Sequence, residues 1–265
     1  MQPNAGLFLN GFDPGLLRRA EEAGLNASAP TQQRLLDGWL LRLSPAKAKR
    51  ARCVNALYAG QLPLDERIAL AQSVFETAAL PFIVRITPFS EPSDLDAQLE
   101  ARGFASFDDT RVMLLPSLEG LQGARLPPRS ELVSPGSGAF AEAVGLLRGS
   151  PLSHRQEHAN RLRNSPVPYT GVMLRIGEEI AACGQFVLEH DIVGLYDVFT
   201  APAHRNAGIA AALCRHLLLM AQARGARRAY LQVEAQNHAA RSAYERIGFR
   251  DGYAYHYRSL DPSAA

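Results

Sequence analysis

Regular alternation of strand and helix patterns in the second half of the chain constrains the fold more than any other feature of the sequence. Runs rich in β-branched and aromatic residues are separated by short polar turns or by amphipathic helix patterns, which end at Gly225 and Gly248. We predict strands at 170–176, 180–188, 193–200, 229–235 and 253–258, and helices at 139–147, 154–163, 209–224 and 239–247, with Ser153 as the N-cap of the second helix. This order predicts an α+β unit built around a mainly antiparallel sheet.

The first half of the chain contains a weaker copy of the same order. The segment QLEARGF at 98–104 can be aligned with AYERIGF at 243–249. Each segment ends a helix pattern at Gly-Phe and is followed by a strand pattern that closes in Leu. Further upstream, a helix pattern at 65–79 and a strand pattern at 82–87 occupy the equivalent places. We interpret the two halves as a degenerate tandem duplication.

A stretch between the halves is typical of a linker. Residues 118–138 are rich in Gly, Pro and Ser and show neither helix nor strand periodicity. We therefore predict two domains, at 1–125 and 126–265. A chain of 265 residues is long enough for each domain to bury a core of its own.

Composition and charge exclude several classes of protein. The 28 basic and 26 acidic side chains give a formal charge of +2, too little for the strong positive field that non-specific nucleic-acid binding requires. The apolar stretches are much shorter than the ~20 residues of a membrane-spanning helix, and no secretory signal pattern occurs. We therefore expect a cytoplasmic protein with neither a nucleic-acid nor a membrane partner. The 3 cysteines are scattered without metal-binding spacing, so we expect no metal site.

The segment TAPAHRNAGIA at 200–210 carries the most specific local signal. It leads from a strand through a short loop into a helix and contains the spacing Arg205-x-x-Gly208-x-Ala210. Such a loop exposes several backbone N–H groups beside the positive end of the helix dipole. Gly208 permits close approach of the backbone, and Ala210 is too small to obstruct it. The segment therefore predicts a cradle for a pyrophosphate.

A second motif, NHAARSAYERIGF at 237–249, follows this loop. In this order and at this spacing, the two motifs resemble the GCN5-related N-acetyltransferase (GNAT) superfamily over about residues 170–258. The resemblance implies an α/β/α sandwich of two GNAT-like domains in tandem, the first degenerate, each with a mixed, mainly antiparallel sheet flanked by helices. It also implies an acyltransferase that needs no metal and uses acetyl-CoA to acetylate a primary amine by direct attack in a ternary complex.

The same resemblance implies roles for individual residues. Tyr244 is the implied general acid for the departing sulfur, and the N–H groups of Val198 and Phe199 are implied to polarise the acetyl carbonyl. The residues implied to bind acetyl-CoA are Val198, Phe199, Thr200, Arg205, Asn206, Ala207, Gly208, Ile209, Ala210 and Asn237. In the first half, Leu99 takes the place of Tyr244 and no comparable glycine loop occurs. We therefore predict that the first half binds no acetyl-CoA.

The general base is less well defined. In GNAT enzymes that acetylate protein N-termini, a glutamate precedes the asparagine, and its place is taken here by Gln232, which cannot accept a proton. Glu234, on the same face of that strand, and Asp197, on the neighbouring strand, are the two candidates. A covalent route through Cys183 or Cys214 is disfavoured because neither has an obvious adjacent base.

The residue at the usual base position leaves two other functions open. One is a non-catalytic acyl-CoA-binding sensor or interaction module, and the other is a transferase for a longer acyl donor. The expected acceptor is a small-molecule or protein amine, and the chain is expected to be a monomer or a homodimer. The basic run at 47–52 is expected to form a solvated loop, although the first half as a whole could wall the acceptor cleft.

Overall fold

Eleven strands form one continuous sheet in the computed structural model, which describes residues 5–45 and 48–263. The strands are β1 Gln33–Leu36, β2 Trp39–Arg42, β3 Val54–Ala56, β4 Val84–Ile86, β5 Ala105–Leu115, β6 Ser130–Val133, β7 Tyr169–Ile176, β8 Glu179–Glu189, β9 Ile192–Thr200, β10 Arg228–Glu234 and β11 Arg250–Ser259. The helices are α1 Pro14–Ala27, α2 Leu64–Thr77, α3 Leu95–Glu100, α4 Ser137–Arg148, α5 Leu152–Arg163, α6 Ile209–Gln222 and α7 His238–Glu245. The predicted α+β class is confirmed.

Most predicted elements of the second half lie within a few residues of their expected bounds, with two corrections. Helix α5 begins at Leu152 after Pro151, so Ser153 lies in the first turn and the predicted N-cap is wrong. Pro151 takes the N-cap position instead, since its fixed φ is compatible with the start of a helix. The predicted linker contains the edge strand β6, which pairs antiparallel with β7. Four residues are too few to show strand periodicity in the sequence.

The two halves repeat one topology and exchange their closing strands. In the first half β3 and β4 pair in parallel across α2, and in the second half β9 and β10 pair in parallel across α6. The closing strand of the first half, β5, pairs with β10, whereas the closing strand of the second half, β11, pairs with β4. Strands β5 and β11 also pair with each other at the centre of the sheet. Each half therefore completes the sheet of the other, while the boundary near residue 125 stays a prediction.

Helices cover both faces of the sheet, and alternation along the strands assigns them. Tyr230 packs with Leu17 of α1, whereas its neighbour Leu231 packs with Leu213 of α6. Helices α4 and α5 share the α1 side, since Phe140 of α4 packs against Cys183, which alternates with residues that face α6. We call these two sides the α1 face, which carries α1, α4 and α5, and the α6 face, which carries α2, α3, α6 and α7.

A buried polar network on the α1 face joins the halves. Glu21 of α1 accepts two hydrogen bonds from Arg85 of β4, one of them 3.0 Å long, and a third of 2.6 Å from the hydroxyl of Tyr253 of β11. The Arg85 guanidinium also lies 3.9 Å from the ring centre of Tyr255. Burial alone would raise the pKa of Glu21, but Arg85 and Tyr253 hold it below its usual range. The network fixes the position of β11 between β4 and β5.

Candidate active site

Strands β9 and β10 separate part-way along their length. Their parallel pairing ends at Leu195 and Leu231, and among the described residues the two strands continue unpaired with each other to Thr200 and Glu234. We call this separation the splay between β9 and β10. A cavity of about 670 Å³ occupies the opening. Its lining includes residues from both faces of the sheet, so the cavity connects the α6 face with the α1 face.

A β-bulge in β9 arranges the cavity wall. Asp197 and Val198 together lie opposite Gly184 of β8, and Asp197 has a left-handed φ of 51°. Because of this bulge, Val198 packs on the α6 face, as Leu195 does. The carboxylate of Asp197 lies on the opposite side, where it meets helices α4 and α5. The bulge therefore places the side chain of Val198 on the α6 face and the charged side chain of Asp197 on the α1 face.

The predicted pyrophosphate cradle lies at the start of α6. Gly208 and Asn206 have left-handed φ values of 72° and 63°, and a side chain added at Gly208 would enter open space. The amide groups of residues 206–211 meet no hydrogen-bond acceptor in the described part of the chain, and the first turn of α6 contains no acidic residue. This loop and helix start contain the predicted cofactor residues Arg205, Asn206, Ala207, Gly208, Ile209 and Ala210. Free amides at a helix N-terminus suit a phosphate.

The other predicted cofactor residues are grouped around the same opening. Val198 and Phe199 line the cavity, and Arg205 lies 5.6 Å from the ring centre of Phe199. The hydroxyl oxygen of Thr200 is buried without a partner in the described chain, as expected beside a site that a polar ligand completes. Asn237 lines the cavity and also caps α7, since its Oδ1 accepts a 3.1 Å bond from the amide of Ala240.

Tyr244 also lines the cavity, on the α6 face. It extends from α7 and makes an edge contact with Phe249, with ring centres 6.2 Å apart. Burial raises the pKa of Tyr244, and the nearby thiol of Cys214 raises it further, so the hydroxyl stays protonated at neutral pH. Burial also raises the pKa of Cys214 and Cys183 to about 12, which leaves both thiols poor nucleophiles.

The two candidate bases differ in their surroundings. Asp197 lies 3.0 Å from Arg148, 3.1 Å from His158 and 2.8 Å from the amide nitrogen of Gln185. Burial alone would raise the pKa of Asp197, but His158 and Arg148 hold it well below its usual range, so this carboxylate is ionised and weakly basic. Glu234 is exposed, lines the cavity at the end of β10, and makes no salt bridge with a described residue. Glu234 is therefore the more accessible of the two carboxylates.

In the first half, the loop equivalent to the cradle binds a carboxylate of the chain itself. Before α2, the amides of Gln61 and Leu62 each donate a 2.9 Å bond to the carboxylate of Asp37. Arg67 pairs with the same carboxylate at 3.1 Å, and the first turn of α2 contains two acidic residues. Leu99, the counterpart of Tyr244, is fully buried in the apolar core. These features disfavour a phosphate at this half.

The first half lines part of the cavity, as the sequence analysis suggested, but through residues that sequence reasoning did not identify. Lys47 lies outside the described residues, but Lys49–Ala51 form a short 3-10 turn that places Lys49 and Arg50 in the cavity wall. The expected solvated loop is therefore wrong for Arg50, whose guanidinium lies 5.9 Å from the ring centre of Tyr196. No local pattern distinguishes Arg50 from its basic neighbours. Across the described ranges, no cluster of three or more His, Cys, Asp or Glu side chains is placed to hold a metal ion.

Comparison with known proteins agrees with this geometry. Residues 142–249, which include the cradle, Asn237 and Tyr244, match the Acetyltransferase (GNAT) family. The second half of the chain belongs to the GNAT family. An uncharacterized N-acetyltransferase of Bacillus subtilis (strain 168), YobR, is 27% identical over 230 residues, which cover 85% of this chain and 91% of YobR. The family match and this N-acetyltransferase relative identify the protein as an acyltransferase.

Solved structures extend the likeness in fold to both halves. A GCN5-related N-acetyltransferase from Kribbella flavida superposes with a TM-score of 0.68 at 15% identity, covering 93% of this chain and 95% of that one. A tandem GNAT protein from the clavulanic acid biosynthesis pathway superposes with a TM-score of 0.66 at 13% identity, covering 89% of this chain and 86% of that one. The tandem arrangement of GNAT folds therefore agrees with the internal repeat of the sequence.

No helix in the described ranges is long and apolar enough to cross a membrane.

Proposed function

We propose that this protein transfers an acetyl group from acetyl-CoA to a primary amine. The observation that carries the proposal is the single cavity that joins the free amides and Tyr244 on the α6 face to an open, polar chamber on the α1 face. In that arrangement the two substrates meet at the splay between β9 and β10. The direct, ternary route is favoured because both cysteines near the site are buried with raised pKa values.

The residues present fit acetyl-CoA. The amides at the start of α6 would hold its pyrophosphate, and the unpaired backbone edge of Val198–Thr200 would hold its pantetheine arm as an added strand. Asn237 would lie beside the same arm. When bound, acetyl-CoA supplies a thioester whose carbonyl carbon accepts the amine.

The α1 face would receive the amine and remove its proton. Glu234 would take one proton from the ammonium form, directly or through water, to free the attacking lone pair. The reaction forms one N–C bond and breaks one C–S bond. The second proton leaves nitrogen for solvent as the amide forms, and Tyr244 gives its own proton to the departing sulfur and is reprotonated from solvent. Asp197, which already contacts Gln185, would hold His158 and Arg148 in position.

Titration calorimetry of the full chain with acetyl-CoA tests the proposed cofactor site. We expect one site per chain, and we expect Gly208→Glu to raise the dissociation constant by about 10- to 100-fold, since a carboxylate enters the cradle beside the pyrophosphate. Gly225→Glu is the matched control. Gly225 follows the same helix, also has a positive φ and opens to empty space, so both variants add the same charge at a strained backbone position.

Four results would contradict parts of this proposal. Two sites per chain would show that the first half binds the cofactor despite Asp37. Equal loss of affinity in both glycine variants would remove the cradle from the binding site. Binding without turnover of any amine would favour a sensor, and faster turnover with a longer acyl-CoA at equal concentration would change the donor.

A further inference from the structure

We propose that the acceptor is a small amine that also carries a carboxylate, and that Arg50 and Arg161 bind this carboxylate. The inference rests on the proposed acetyl transfer, because it names the acceptor class of the same cavity. The two arginines come from different halves of the chain: Arg50 from the turn before β3, and Arg161 from α5. Both line the cavity.

Both guanidinium groups lack a full set of partners. The Nε atoms of Arg50 and Arg161 are shielded from solvent and meet no hydrogen-bond acceptor among the described residues. Burial lowers the pKa of Arg161, Asp197 and Glu157 offset this in part, and the charge of Arg50 lowers it, so the two cations lie close enough to repel each other. Shielded cations without a salt bridge are unfavourable, and an anion between them would relieve this repulsion.

The other cationic arginine and lysine side chains that line the cavity are already neutralised. The pairs are Lys49 with Asp108 at 2.7 Å, Arg148 with Asp197 at 3.0 Å and Arg155 with Glu142 at 2.7 Å. Asp197 also attracts Arg161, but its oxygens already contact Arg148, His158 and Gln185. Within the described cavity wall, Arg50 and Arg161 therefore make no salt bridge to a carboxylate.

Tyrosines, and not acids, surround Arg50. Tyr196, Tyr255 and Tyr257 line the same part of the cavity, and the hydroxyl of Tyr255 donates a 2.9 Å bond to Gln232. Burial raises the pKa of Tyr196 to about 12 and that of Tyr257 well above its usual value, so these hydroxyls are neutral at physiological pH. They can orient a ligand by hydrogen bonds, but they supply no negative charge to the arginines.

The position and charge of this chamber define the acceptor. Arg50, Arg161 and the tyrosines lie on the α1 face with Glu234, opposite Tyr244. A simple alkylamine enters as a cation and would be repelled by two guanidinium groups, whereas a carboxylate on the same molecule would bridge them. The cavity must also admit the thioester end of the cofactor, so the acceptor is a small molecule.

Paired acceptors test the proposal. The purified protein is assayed with acetyl-CoA and glycine, β-alanine, γ-aminobutyrate or leucine, each against the amine that lacks its carboxylate: methylamine, ethylamine, propylamine or isopentylamine. We expect at least one carboxylate-bearing amine to exceed its partner in kcat/KM by about 10- to 100-fold. We expect Arg50→Gln and Arg161→Gln each to reduce that ratio by about 10-fold, mainly through KM. Arg163→Gln, an exposed arginine on the same helix that does not line the cavity, is the matched control.

A second measurement separates failure of this inference from failure of the proposed function. Calorimetric titration with N-acetylglycine and with neutral N-methylacetamide reports carboxylate binding without turnover. Binding of N-acetylglycine that is lost in Arg50→Gln and kept in Arg163→Gln supports the site even if no amine is acetylated, in which case only the transfer reaction fails. Turnover with equal preference for amines with and without a carboxylate, or N-acetylglycine affinity unchanged in both cavity variants, overturns the inference and leaves the acetyltransferase in place.

Discussion

Glu234→Gln is expected to lower kcat/KM by about 100- to 10,000-fold, the range usual for loss of a general base. The substitution keeps the shape of the side chain and removes only its ability to take a proton. Since Glu234 is exposed and makes no salt bridge with a described residue, the fold should be unaffected. Steady-state kinetics of the variant beside the unchanged protein, with the same amine, measure this loss. Glu234→Asp, which keeps a carboxylate, should lose less activity than Glu234→Gln.

Two comparison variants make the assignment specific. Glu245→Gln, on an exposed position of α7 outside the cavity, should behave like the unchanged protein. Asp197→Asn should lower thermal stability, because it removes a buried carboxylate that holds Arg148 and His158, but it should lower kcat/KM much less than Glu234→Gln does. If Asp197→Asn instead causes the larger loss of kcat/KM and Glu234→Gln the smaller, the roles of the two carboxylates are the reverse of those proposed.

Local features of the sequence were sufficient to predict the loop and the helix cap on the α6 side of the cavity. The loop at 200–210 and the motif at 237–249 are continuous segments whose conformation depends on nearby residues, namely Gly208 at a left-handed position and Asn237 as a helix cap. Errors at this level were small, such as the N-cap of α5 and the four-residue strand β6.

The acceptor side depends on contacts between distant segments, and these were not predictable from patterns. Arg50 reaches the cavity only because the first half shares the sheet of the second, through the exchange of β5 and β11. No periodicity distinguishes a closing strand that pairs within its own half from one that pairs with the other. The capture of loop amides by Asp37, 24 residues before Gln61, is likewise a long-range contact. Such contacts depend on how distant segments pack against each other, and a sequence pattern contains no information about that packing.

Because the strands are exchanged, residues of both halves form the cavity. The second half contributes the cradle, Tyr244 and Glu234, whereas the first half contributes Arg50 and the central strand β5 against which β10 lies. A first half that we predict to bind no acetyl-CoA is therefore still needed to complete the sheet. Its chemical contribution is confined to the chamber on the α1 face, so we expect differences in acceptor choice among similar chains to lie in the first half and in α5.

Tyr244→Phe is expected to lower kcat by about 10- to 1,000-fold while the dissociation constant of acetyl-CoA changes little. The ring and its contact with Phe249 remain, so only the proton donor is lost. A thiolate leaving group has an ordinary pKa near 8.5, so it needs moderate help from an acid, and this limits the expected effect. Tyr58→Phe, at an exposed position of the first half, is the matched control.

The pH dependence of the unchanged protein gives an independent check on Tyr244. A raised pKa means that the hydroxyl stays protonated to higher pH than an ordinary tyrosine, so the rate should show no fall due to this group between about pH 9 and about pH 11, where an ordinary tyrosine would lose its proton. Stopped-flow measurement of thiol release at saturating acetyl-CoA would separate the chemical step from product release. If Tyr244→Phe weakens acetyl-CoA binding as much as it slows this step, the residue packs against the cofactor and does not act as its acid.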